Sequence, residues 1–323
     1  MADGFDAVLI GAGVNALACA LHLSARGRRV AVFERASEPG GALKSGDYTL
    51  PGFRHDWAAM NLSLFAGSAF HKAHGAELAR HGCAFVPVAH PFASSFGAGR
   101  WLGVSTGSEA TAERIAGISP RDAEAWRRLC AAFPGEAPAI FGLLGSPVSM
   151  RALASFMFKT SRARGIGGTL DLLRFVAESP RRWLAETFES EEVRALLGAW
   201  GMHLDFAPDI AGGAVFPYLE GMAGQAFGMA IGKGGADTVT RALVAAIRAR
   251  GGSVECGAAV ARILHASGRA EGVALADGRE VRAPLVVAGV APGALPRLAG
   301  GTTPGFDAGM RRFAHAPGTM MIH

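Results

Sequence analysis

The strongest constraint in this chain is a glycine turn set between a strand and a helix within its first 35 residues. Residues 5–10 read Phe-Asp-Ala-Val-Leu-Ile, a short buried strand, and residues 14–26 read as a helix rich in Ala and Leu. Between them stands Gly11-Ala12-Gly13-Val14-Asn15-Ala16, and Arg29–Glu34 supplies a second strand. Strand, glycine turn, helix and strand make half of a doubly wound α/β unit with a right-handed crossover. In a G-x-G-x-x-A turn the first glycine permits the tight bend and the second lets backbone approach a pyrophosphate. The helix N-terminus then holds the negative charge. Ala20, Leu23, Gly27 and Val30 fall where helix and second strand must pack. Glu34 closes that strand 23 positions after Gly11, near the ~20 expected of a carboxylate on a ribose hydroxyl. The pattern predicts dinucleotide binding.

The rest of the chain divides by texture. From about 76 to 220 the stretches read as helical. Ser119-Pro120-Arg121-Asp122 is an N-cap followed by Pro at the first position, predicting a helix through about Phe133. Residues 151–163, 168–178 and 190–200 are predicted helical as well. After Gly232 the α/β character returns. Asp237–Arg250 is amphipathic and stops at Gly251-Gly252. Short strands are predicted at 253–256, 259–265, 271–276, 279–282 and 285–289, with a hairpin signal at Asp277-Gly278. One α/β domain, 1–75 with 221–300, is therefore expected to be interrupted by a helical insertion over 76–220. Residues 301–323 read as the start of a further strand at Met320–His323.

Composition narrows the function classes. A chain of 323 residues that is 50% hydrophobic and 18% charged can bury a large core. The net charge of +5 is local: Arg151–Arg182 holds seven basic residues against Asp171 and Glu178, and the remainder balances. A nucleic-acid partner is not expected from such a distribution. Cys19, Cys83, Cys130 and Cys256 form no Cys-x-x-Cys pair, so zinc-finger and thioredoxin geometries are excluded and reduced thiols expected. No signal-peptide pattern precedes Phe5, and the longest uncharged runs, 7–25 and 81–99, are broken by Gly, Pro, Asn or His. A cytoplasmic location is expected. His71-x-x-His74 lacks a third ligand, so no metal is predicted. Gly228–Gly234 has the wrong spacing for a P-loop, and no G-x-S-x-G elbow occurs.

Two stretches keep alternatives open. Residues 151–182 carry Leu153, Phe156, Met157, Phe158, Leu170, Leu172, Leu173 and Phe175 among their charges. That composition suits peripheral contact with an anionic membrane; it equally suits apolar packing beneath a solvated basic face. Arg54-His55-Asp56 suits acid–base work or a hydrogen-bonded turn.

The glycine pair Gly40-Gly41 follows Glu34 closely, in Glu34-Arg35-Ala36-Ser37-Glu38-Pro39-Gly40-Gly41-Ala42. This resembles the FAD pattern of glutathione-reductase-type flavoproteins. Pro51-Gly52-Phe53-Arg54-His55-Asp56-Trp57-Ala58-Ala59-Met60, Gly232-Lys233-Gly234-Gly235-Ala236, Gly257–Ile263 and Val286–Pro292 are similar, in order, to segments of phytoene-dehydrogenase-like flavoproteins. Those are related to carotenoid desaturases and, more distantly, to amine oxidases. The resemblance implies FAD bound by Gly11, Gly13, Val14, Asn15, Ala16, Glu34, Arg35, Gly40, Gly41, Ala42, Asp56, Ala59, Val260 and Gly289, with backbone at Val260 contacting the adenine. It implies hydride removal from a C–C bond of an apolar, isoprenoid or lipid-like substrate. Amine oxidation at C–N and a non-catalytic flavin-binding module are the alternatives. No catalytic residue is identified. The sequence departs from the family at Ala58 and Met60, where Gly and a polar residue are usual. Family members also continue beyond a segment like Gly318–His323, which implies an N-terminal part.

Overall fold

The computed structural model describes residues 4–145, 149–203, 207–315 and 320–323. They form two compact units, 1–86 with 230–323, and 87–229. The sequence reading set these divisions at 75/76 and 220/221.

The first unit is built on four parallel strands. β1 (Ala7–Ile10) pairs with β2 (Val30–Glu34) on one side and with Leu285–Ala288 on the other, and Ser253–Cys256 extends the sheet beyond β2. The helix α1 (Val14–Ser24) makes the crossover from β1 to β2. Alternation sends Ala7, Leu9, Val30 and Val32 to one face, where Leu17 and Leu21 of α1 and Val239, Leu243 and Ile247 of the helix Thr238–Ala249 cover them. Val8, Ile10, Ala31 and Phe33 face the other way, onto Ile263, Val273 and Leu275 of a three-stranded antiparallel sheet. A sheet covered on both faces reads as continuous apolar runs, which is why these strands are visible in the sequence. Each fully buried Leu or Val contributes about 1.5–3 kcal/mol relative to exposure. The antiparallel sheet comprises Val260–Ala266, Arg269–Leu275 and Glu280–Arg282. Its second turn is the Asp277-Gly278 hairpin, with Asp277 accepting from the Arg279 amide at 3.0 Å.

The second unit buries Trp126, Phe188, Leu196, Leu197 and Tyr218. Trp126 donates to Gln225 at 2.9 Å, and the buried Asp122 accepts from the amides of Glu189 and Ser190, both at 2.8 Å.

Several expectations are corrected. The stretch 76–220 is not wholly helical: short strands lie at Phe85–Val88, Phe92–Ser95 and Trp101–Val104, the last two forming a hairpin. The helix from Pro120 runs to Leu144, through Pro134 and Pro138. A prolyl residue inside a helix costs about 3 kcal/mol. Here Phe133 and Ile140, both in the core, tie down the helix on either side. The two helices expected at 151–163 and 168–178 form a run, Met150–Ala177, kinked at Gly165. Pro180–Thr187 and Val215–Phe227 are helices the sequence reading did not anticipate. Residues 320–323 are irregular rather than a strand; Pro304–Arg311, before them, is a helix, and the His323 ring lies against Tyr48 and His55.

Candidate dinucleotide-binding site

The site grows from the end of β1. There the Gly11 amide donates to Phe33 O and the Gly289 amide donates to Ile10 O, each at 2.8 Å. Gly11 has φ +91°, and a Cβ on it would lie 2.7 Å from Gly289 O. Only glycine fits between these strands. Gly13 is different: a Cβ there would meet nothing within 4 Å, so the turn opens onto free space. Gly13 is also the N-cap of α1, with no side-chain cap and no acidic residue in the first turn. An uncapped helix N-terminus above an open glycine suits an anion such as a pyrophosphate.

Glu34 borders this turn. Its Oε2 accepts from the Ala12 amide at 2.7 Å and its Oε1 from the Ala36 amide at 2.8 Å. A carboxylate offers about four lone-pair positions, so each oxygen keeps acceptor capacity for a ribose hydroxyl. The second glycine pair packs directly on the first turn: the Gly40 amide donates to Ala12 O at 2.8 Å, and a Cβ on Gly41 would lie 3.4 Å from Gly13 Cα.

A cleft of about 460 Å³ opens here, and seven of the fourteen predicted residues line it: Gly11, Gly13, Glu34, Arg35, Gly41, Val260 and Gly289. The other seven do not. Val14, Asn15 and Ala16 form the first turn of α1, and Ala16 packs against Gly289. Gly40 and Ala42 brace the loop, with Ala42 O accepting from the Ala59 amide at 3.2 Å. The Asp56 carboxylate accepts from Ser45 at 2.6 Å and from the Ala236 amide at 2.7 Å, so it ties two loops together. Arg54 pairs with Asp237 at 2.6 Å, and His55 meets Thr49 at 2.8 Å. Arg54-His55-Asp56 is thus a hydrogen-bonded structural segment.

Sequence reasoning missed Arg297. It projects from the short helix Leu295–Ala299 and lines the same cleft as Arg35. No motif marks it, because the similar segments end at Pro292. Cys256 pairs in register with Glu34 at the sheet edge. Burial, reinforced by the charge of Glu34, pushes its thiol up, so it stays protonated. His71 and His74 have separate partners, Ala66 O at 3.0 Å and His22 at 3.3 Å. Among the described residues no three His, Cys, Asp or Glu side chains converge as a metal site.

Comparison with known proteins agrees with this geometry. Residues 9–73 match the NAD(P)-binding Rossmann-like domain. The chain is 29% identical over 312 residues to pyridine nucleotide-disulfide oxidoreductase domain-containing protein 2 of Mus musculus, covering 89% of this chain and 53% of that protein. It is 29% identical over 301 residues to hydroxyneurosporene desaturase of Cereibacter sphaeroides, covering 89% of this chain and 56% of that protein. The chain therefore spans about half the length of the curated relatives it matches. Among solved structures, cyclohexylamine oxidase from Brevibacterium oxydans matches with a TM-score of 0.53 and 22% identity, over 95% of this chain and 63% of that one. No helix among the described residues is long and apolar enough to cross a membrane. Glycine turn, sheet order and comparisons converge on one conclusion: the first unit carries a Rossmann-like dinucleotide-binding fold, in a chain similar to hydroxyneurosporene desaturase that shares the fold of cyclohexylamine oxidase.

Proposed function

We propose that the chain binds FAD and serves an oxidoreductase that desaturates a C–C bond of an apolar, isoprenoid or lipid-like substrate. The observation that carries this reading is the single cleft holding the open Gly13 turn, the Glu34 carboxylate, Gly41 and Val260. In it the α1 N-terminus receives the pyrophosphate, Glu34 accepts from the adenosine ribose, and backbone at Val260 meets the adenine. Arg35 and Arg297 add positive charge along the cleft. FAD, when bound, supplies the hydride acceptor. What the chain supplies is position and exclusion of water, and no side chain is assigned as a proton acceptor.

Reaction at C–C is favoured over C–N by sequence. The desaturase of Cereibacter sphaeroides matches across 89% of this chain, whereas the likeness to cyclohexylamine oxidase, at 22% identity, is one of fold. The test is the visible spectrum of the purified protein, followed by anaerobic mixing with an apolar polyene and, separately, with primary amines. Bleaching of a flavin band by the polyene alone supports desaturation. Bleaching by amines alone favours the C–N reading, and a bound flavin that nothing reduces favours a non-catalytic module.

A further inference from the structure

Three helices of the first unit meet where α1 ends, and their polar side chains there form one line. Arg26, just past α1, donates to Nε2 of His22 and, at 3.3 Å, to the His22 carbonyl. His22 Nδ1 stands 3.3 Å from Nε2 of His74, on the helix Ala69–Arg80, and the two rings meet edge to face. The other nitrogen of His74 lies 3.9 Å from Glu77 Oε2. Glu77 in turn takes two bonds from Arg250, just past the helix Thr238–Ala249. Counting donors fixes the protons along this line. A guanidinium only donates, so His22 Nε2 presents its lone pair. A neutral imidazole has one N–H, which His22 therefore carries on Nδ1 and donates to His74 Nε2. His74 is left with its own N–H on Nδ1, facing the Glu77 carboxylate. Both rings are thus neutral, and a further proton on either would set an N–H against another donor.

We propose that this line is an acid-sensitive latch, which fastens the helix Ala69–Arg80 to α1 and loosens it when the histidines take up protons. The surrounding charges set the direction. His22 and Arg26 act on His74 from α1, Glu77 from its own helix, and Arg250 from the end of Thr238–Ala249, while Arg80 acts on Glu77. His71, one turn earlier, bonds Ala66 O instead, Lys72 is exposed, and Ser63–Ala66, which packs on this helix through Phe65, has no ionisable side chain. Burial first, and then His22, push the His74 ring's pKa down, and Glu77 opposes them without reversing the sign. A ring kept neutral in the fold binds fewer protons than in the unlatched chain, where its pKa is about 6.5. Latching is therefore complete above pH ~6.5 and weakens as pH falls from there through the folded value. The inference is independent of the flavin reading.

Hydrogen–deuterium exchange of the whole chain, at pH about 7.5 and about 5.5 on either side of the ordinary histidine value, tests it. Peptides of 69–80 are read against those of β2, each corrected for its intrinsic rate. About one pH unit below 6.5, a ring held neutral costs the latched state up to about tenfold. Protection of 69–80 should therefore fall by about 3–10-fold while β2 keeps its own. His74→Gln keeps a carbonyl acceptor for His22 but cannot titrate, so the same change should shrink to less than about twofold. At the higher pH, nitrogen NMR shifts should show both rings protonated on Nδ1. No relative loss in the unsubstituted chain, an unchanged loss in His74→Gln, or either ring protonated on Nε2 overturns the proposal. So does an equal loss in β2, since the response would then belong to the whole unit. The tautomer measurement needs no variant to fold.

Discussion

Glu34 carries the most at the scale of single residues, because one carboxylate joins the glycine turn to the cleft. Glu34→Ala should weaken FAD binding by about 1.5–3 kcal/mol, the range for a hydrogen bond to a charged group. That is about 10–150-fold in the dissociation constant, measurable by flavin fluorescence titration. Gly11→Ala should act on the fold instead. Its positive φ alone costs of order 1–3 kcal/mol, and the added methyl meets Gly289 O. Denaturant unfolding should show that loss with or without FAD. These two residues stood out in the sequence because the tight turn demands glycine and because a carboxylate at that spacing matches the dinucleotide pattern. Arg297 did not: a cation on a solvent-exposed helix can sit at many positions, and only the fold shows that it shares a cleft with Arg35. What Asp56 does structurally was not legible either: its carboxylate accepts from Ser45 and from the Ala236 amide, on loops that only the fold brings together.

Among the elements, the parallel strands were legible because both of their faces are buried, while Phe92–Ser95 and Trp101–Val104 are short and the first is partly exposed. Val215–Phe227 was hidden by its glycines. A Cβ on Gly221 would meet Leu197 Cδ2 at 2.5 Å, so that glycine lets two helices approach and does not break one. The kink at Gly165, with φ 73° and ψ 176°, makes a prediction of sign. Gly→Ala within a straight helix stabilises by roughly 1 kcal/mol; Gly165→Ala should destabilise by about 1–3 kcal/mol, read from the unfolding midpoint. A gain would mean the helix runs straight. A second element-level test uses pH. Arg250, just past the helix Thr238–Ala249, reaches Glu77 of the helix Ala69–Arg80 at 2.7 and 3.0 Å and holds its carboxyl below the usual range. A depressed folded pKa stabilises above the unfolded value of about 4.3, and the benefit is lost as pH falls through the folded value. Arg250→Gln should therefore cost about 1 kcal/mol near neutrality, the guanidinium being partly exposed, and progressively less below pH ~4.

On the scale of the whole molecule, the described residues form two compact units, 1–86 with 230–323 and 87–229, where the sequence reading placed its divisions at 75/76 and 220/221. The strand Phe85–Val88 and the helix Val215–Phe227, which lie near these divisions, carry no clear signal in the sequence. The account as a whole stands on the cleft of the first unit taking FAD through the glycine turn and Glu34. The most direct measurement is a titration of the purified chain with FAD, repeated with Glu34→Ala and with NAD⁺ and NADP⁺ as competitors. The account predicts saturable binding of one FAD per chain, weakened about 10–150-fold by the substitution and not displaced by either nicotinamide dinucleotide. Unchanged FAD affinity in Glu34→Ala, or displacement of FAD by NADP⁺ at equal concentration, would contradict it.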